Sequence, residues 1–239
     1  DHRDLHSFPT RRSSDLLYCT VGGNQYFGQW LIDDCVTYPL ASEYGVPTTD
    51  MRKVSGHQLE YEALFDMKSN RIEASYFKEI ILFDDIGRNT NKRKRTLGLI
   101  DKLNGRFFRR PHGGVFILRK ASGEYRLLKN EIELAMDLNR MYGIEIIDPM
   151  SMSVDEILTK CCGSKLIIGV EGSHLVHGVM TMNPGASLLV LMPPFRFCTI
   201  LKDVADQNDY KFGFVVGNVV DDGFAIDVDE VRRTIDLMF

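Results

Sequence analysis

No apolar run in this sequence approaches the ~18 residues that a membrane-spanning helix requires. Cysteine is sparse. Cys19, Cys35, Cys161, Cys162 and Cys198 show neither zinc-type spacing nor an even-numbered disulfide framework, and the adjacency of Cys161 and Cys162 disfavours a simple bridge between them. That usage fits a reducing compartment, and so the cytoplasm. No Gly-x-Gly-x-x-Gly follows a predicted strand, which argues against a dinucleotide-dependent oxidoreductase. Charge of one sign is not in excess: the net value of −4 gives no support to nucleic-acid binding. The basic run between Arg88 and Arg95 reads as a solvated helix start rather than a nucleic-acid patch. There is no internal repeat. What remains is an ordinary globular composition, 44% apolar and 26% charged.

The first residues stand apart. Asp1 to Leu16 carry no periodic pattern. Back-translated codon by codon, they reproduce a common short-read sequencing adapter, so they are set aside as an artefact without a structural role. The natural chain is then expected to start near Leu17, as a fragment of a longer protein whose anchor or leader could lie upstream. The rest suits one large domain or one and a half smaller ones.

Residues 17–110 read as a partial α/β domain. Trp30, Leu31, Asp34 and Tyr38 recur at helical spacing, with Gly45 as a stop. Phe77 to Asp85 reads as a buried strand, Ile86 to Arg95 as a loop, and Thr96 to Leu103 as a helix. Residues 111–239 alternate strand and helix. Strands are expected at Val115 to Leu118, Ile144 to Ile147, Lys165 to Val170 and Ser187 to Met192. The helices between them cover Lys129 to Tyr142, the capping box at Ser153 onward, and His174 to Met182; Asp227 caps a last helix from Val228 to Met238. Such an order implies right-handed crossovers and a Rossmann-like parallel sheet.

Ligands of such sheets bind beyond the carboxyl ends of strands. Three segments offer chemistry there or beside it. In Glu171-Gly172-Ser173-His174, a buried strand turns directly into a helix. Gly172 would let a ligand approach the backbone, Ser173 would cap the helix, and the free N–H groups would attract a phosphate. His174 and His177, at i and i+3, would share one helix face, and His174 could donate to a diphosphate oxygen. A plain tight turn with satisfied histidines is an equally open reading. A metal site of Glu171, His174 and His177 matches no standard spacing. Arg119, just past the first strand, and Arg126, past a Gly-containing turn, have the forked donors that suit a diphosphate; alone, each would be an exposed loop cation. Asp33 could be a general base, or simply a solvated acid near a helix start.

In order and spacing these segments resemble glycosyltransferase family 61, over about Gly23 to Leu191. Gln29-Trp30-Leu31-Ile32-Asp33 is similar to the family's His-Trp-Leu-x-Asp stretch. Ile117-Leu118-Arg119 stands for its Ile-Ser-Arg strand end, and Arg126 to Asn130-Glu131 for Arg-x-Ile-x-Asn-Glu. Gly169-Val170-Glu171-Gly172-Ser173-His174-Leu175 stands for Gly-x-His-Gly-Ala-Gly-Leu, followed by Pro184-Gly185-Ala186. Two positions depart: Glu171 replaces the motif histidine, and Gln29 replaces the histidine before Trp30.

The resemblance implies a GT-B-like, two-domain α/β fold and inverting transfer from a nucleotide sugar to a glycan or lipid-linked glycan hydroxyl, as in capsular or exopolysaccharide synthesis. It implies neither metal nor cofactor, no nucleic-acid partner, and room for peripheral membrane association. Arg119, Arg126, Glu171, Gly172, Ser173, His174 and His177 would hold the donor, with Asp33 as base. Glu171 also leaves open a binding module of the same fold without the chemistry.

Overall fold

The computed structural model describes residues 15–50, 54, 56–73, 76–85 and 87–239. They form two units, divided between Arg95 and Thr96.

In the first unit, β1 (Asp15–Leu17), β2 (Pro47–Asp50), β3 (Asn70–Ile72) and β4 (Ile80–Leu82) make a parallel sheet in the order β3-β2-β1-β4. Positions 1–14, most of the adapter-like segment, lie outside the described residues. The expectation that this segment has no structural part needs correction at its end. Asp15 and Leu16 pair with β4, and Leu16 pairs with β2 as well. Strand pairing uses backbone groups, which any non-proline residue supplies.

Short helix α1 (Val21–Gln25) follows β1, with the Thr20 hydroxyl accepting from the Gly23 N–H at 2.8 Å. The expected long helix is present as α2 (Phe27–Gln29), a π turn (Trp30–Asp34) and α3 (Cys35–Tyr44), with Trp30, Leu31 and Ile32 buried. Helix α4 (Gly56–Leu64) connects β2 to β3. The run expected to be a buried strand supplies β4, which lies at the sheet edge with all three residues exposed. The expected loop 86–95 is also shorter. Helix α5 (Thr90–Arg106) starts inside it, where the Asn89 side chain accepts from the Lys92 N–H at 2.9 Å.

The unit division therefore falls within α5, upstream of the expected boundary near residue 110. The end of this helix belongs to the second unit, within which Asn104 bonds Asn183 at 3.3 Å and Arg106 pairs with Asp155 at 3.6 Å.

The second unit holds β5 (Val115–Ile117), α6 (Glu131–Tyr142), β6 (Glu145–Ile147), α7 (Val154–Cys161), β7 (Leu166–Val170), α8 (Val176–Val179), β8 (Ser187–Met192), α9 (Ile200–Gln207) and β9 (Lys211–Val216). A hairpin of β10 (Asn218–Val220) and β11 (Gly223–Ala225) leads to α10 (Val228–Met238). The sheet is wholly parallel, in the order β6-β5-β7-β8-β9. Every residue of β7 and β8 is buried, as expected of unbroken apolar runs covered on both faces. Phe116, Ile168 and Leu189 pack with Leu134 and Leu138 of α6 and Val231 and Ile235 of α10. Gly178 of α8 packs closely against Ile117 and Ile167 of the alternate strand positions, so the sheet is covered on its other face too. The capping box at Ser153 and Glu156 forms as expected, and Asp227 caps α10.

Candidate functional site

Strand order decides where a ligand can sit. The chain passes from β5 outward to β6, then returns to the other side of β5 for β7, β8 and β9. The reversal lies between β5 and β7, and at such a point the connecting loops diverge and open a crevice beyond the carboxyl ends. Arg119 stands two residues past β5, and Glu171 follows β7 directly.

Arg119 and Arg126 are both buried, with 5% and 7% exposure, unusual for an arginine unless it is paired. The Arg119 Nη2 donates to the Glu124 carbonyl at 2.5 Å. Arg126 donates from Nη1 to the Glu171 carbonyl at 3.1 Å and from Nη2 to Glu124 Oε2 at 3.0 Å, and its Nη1 lies 2.6 Å from Glu171 Oε2. The Nε atoms of both arginines are buried without a hydrogen-bond partner. Burial first, then the Arg126 charge, lowers the Arg119 pKa, although neighbouring glutamates oppose this.

The loop bearing Arg119 is clamped by Glu131, at the start of α6. Its two carboxylate oxygens accept from the backbone N–H groups of Arg119 and Lys120, each at 2.7 Å. Burial raises the Glu131 pKa, while these amides and the nearby cations pull it back.

Around Gly172 the structure differs from expectation. Its φ of +155° suits glycine, and a Cβ there would lie 2.3 Å from the Arg119 Nη1. The space beside Gly172 is thus filled by a guanidinium. Ser173 does not cap the expected helix either: a 3-10 turn, Ser173–Leu175, leads into the four-residue α8, and Gly172 takes the cap position with no side-chain bond. So short a helix offers little macrodipole, and the positive charge here belongs to side chains.

The His174 ring nitrogens are buried without hydrogen-bond partners. Burial, then Arg119 and Arg126, push its pKa down to about 3; His174 is therefore neutral at pH 7. His177 is buried in α8. Among the described residues, Glu171, His174 and His177 do not converge as a metal-holding group.

Asp33 belongs to the first unit, in the π turn. Its Oδ1 lies 2.6 Å from Nζ of the fully buried Lys92 and 3.2 Å from Arg88 Nη1. The basic run is consequently not just a solvated helix start.

Sequence reasoning missed Arg196, four residues past β8, whose Nε lies 3.4 Å from Glu171 Oε2 and whose Nη1 lies 3.6 Å from Glu124 Oε2. A signal existed, since an arginine follows Pro193-Pro194 just beyond a predicted strand.

A family model described as glycosyltransferase 61 matches residues 27–189, which include Asp33 and every residue of this cluster but Arg196. The chain belongs to that family. It is a glycosyltransferase. Among solved structures, a glycosyl transferase of family 9 from Veillonella parvula DSM 2008 is similar at 6% identity, covering 97% of each chain with a TM-score of 0.41. No curated protein matches. In this family 61 chain the Glu171 carboxylate is ion-paired with Arg126. Among the described residues no helix is long and apolar enough to cross a membrane.

Proposed function

We propose that this glycosyltransferase moves a sugar, with inversion and without a metal ion, from a nucleotide-sugar donor to a hydroxyl of a glycan or lipid-linked glycan, in capsular or exopolysaccharide synthesis. The observation that carries the reading is the pair of buried arginines with unpartnered Nε atoms at the switch point of the parallel sheet. In the transfer, the acceptor oxygen forms a bond to the anomeric carbon as the bond from that carbon to the diphosphate oxygen breaks. The acceptor proton passes to a base, and the electron pair leaves with the diphosphate. Arg119 and Arg126 stabilise the charge developing there, the task a metal performs elsewhere. Asp33 is the base this reading assigns. Its carboxylate is held in place by Lys92 and Arg88. A two-domain, GT-B-like arrangement accompanies this assignment.

Calorimetric titration with uridine diphosphate and other nucleoside diphosphates, in the presence of a chelator, tests the donor site. Arg119→Ala and Arg126→Ala should each weaken the best ligand by about 10–100-fold. Unchanged affinity in both variants would move the site elsewhere.

A further inference from the structure

The geometry points to Glu124 as an internal stand-in for the donor's phosphate, and to Arg196 as a third phosphate-binding residue that exchanges Glu124 and Glu171 for the donor. This rests on the donor-site reading above.

Glu124 differs from Glu171 in what holds it. Glu171 is buried and continues β7, with its N–H donating to the Leu191 carbonyl at 3.0 Å. Glu124 has a half-exposed side chain on a turn that passes through left-handed backbone at Lys120 and Gly123. The cations that meet this turn are those a phosphate would need: Arg119 binds the Glu124 carbonyl, while Arg126 and Arg196 face its carboxylate. Arg196 is itself partly exposed, and its 3.4 and 3.6 Å contacts are looser than the 2.6 Å pair between Arg126 and Glu171.

Such a cluster suits exchange. A diphosphate carries more charge than one carboxylate and offers several oxygens to forked guanidinium donors, so it competes well for them. The two unpartnered Nε atoms leave capacity for it. Glu171, fixed by its strand, keeps Arg126 in place during the exchange. Before the donor binds, Glu124 supplies Arg126 and Arg196 with counter-charge beside that of Glu171.

Inorganic diphosphate, titrated calorimetrically, is the probe. Its affinity should rise about two- to fivefold in Glu124→Gln, the scale of an exposed ion pair. It should fall about tenfold in Arg196→Gln and less in Arg196→Lys, which keeps the charge without the fork. In the double variant Glu124→Gln/Arg196→Gln, the gain from Glu124→Gln should shrink, because one cation it competes for is gone. Melting temperatures on the same samples show whether each variant folds. Unchanged or weaker binding in Glu124→Gln would overturn the stand-in role, and unchanged binding in Arg196→Gln would overturn the third arginine. Arg126→Gln separates the underlying reading: loss of binding there with no response to Glu124 leaves the donor site intact and removes only this inference. If the unmodified chain does not bind diphosphate saturably, both fall.

Discussion

The Arg119 guanidinium lies against the Cα of Gly172, where a Cβ would stand 2.3 Å from Nη1. Two loops that follow separate strands are therefore fitted to each other through a missing side chain. Gly172→Val should displace the guanidinium and force an unfavourable φ, costing about 1–3 kcal/mol. Nucleoside diphosphate binding should fall with it. In the double variant Gly172→Val/Arg119→Ala, the stability loss should be less than the sum of the single losses, since the clash has gone. Additive melting-point changes would show that the two residues do not meet.

Glu131 holds Arg119 by its backbone. Glu131→Gln replaces one accepting oxygen with an NH2 group that faces an N–H donor, so one amide loses its partner. Chemical denaturation should show a loss of about 1–3 kcal/mol. A change within about ±0.5 kcal/mol, the range of an ordinary surface substitution, would mean that the clamp contributes nothing to holding the loop.

Asp33 and Lys92 separate charge pairing from catalysis. Asp33→Asn keeps the shape of the side chain and removes the base, so kcat should fall by about 10²–10⁴-fold. Lys92→Met should instead lower stability, because Lys92 Nζ is buried against Asp33 and the Asp85 carbonyl at 2.6 and 2.8 Å. Full activity in Asp33→Asn would remove it as base.

His174 predicts the acid side of the stability curve. Its folded pKa, about 3, lies below the ordinary 6.5, so the unfolded chain binds the proton more tightly. Stability from this group is complete above pH ~6.5 and is lost as pH falls toward 3, at up to about 1.4 kcal/mol per unit. Replacing His174 with Asn should flatten that slope between about pH 6 and 4 by roughly this amount. An unchanged slope would mean that other groups set it.

Local pattern carried much of the second unit. The apolar runs at Leu166 to Val170 and Ser187 to Met192 have no face they could leave in water, so a doubly covered parallel sheet was their simplest solution. Ser153 with Glu156, and Asp227 before Val228, mark helix starts because their side chains bond nearby amides, an interaction confined to a few residues. The places of Arg119 and Glu171 just past strands were likewise legible. What each of them touches was not. The order β6-β5-β7-β8-β9, the Arg119 contact with Gly172, the Glu131 clamp 12 residues away and the approach of Arg196 to Glu171 and Glu124 join segments distant in the chain. In the first unit, the same limit hid the burial of Lys92, whose neighbours in sequence are charged and polar. Local periodicity reports which face of an element avoids water; which charged groups then meet depends on sheet order and on the room between side chains, and only the packed tertiary structure decides that.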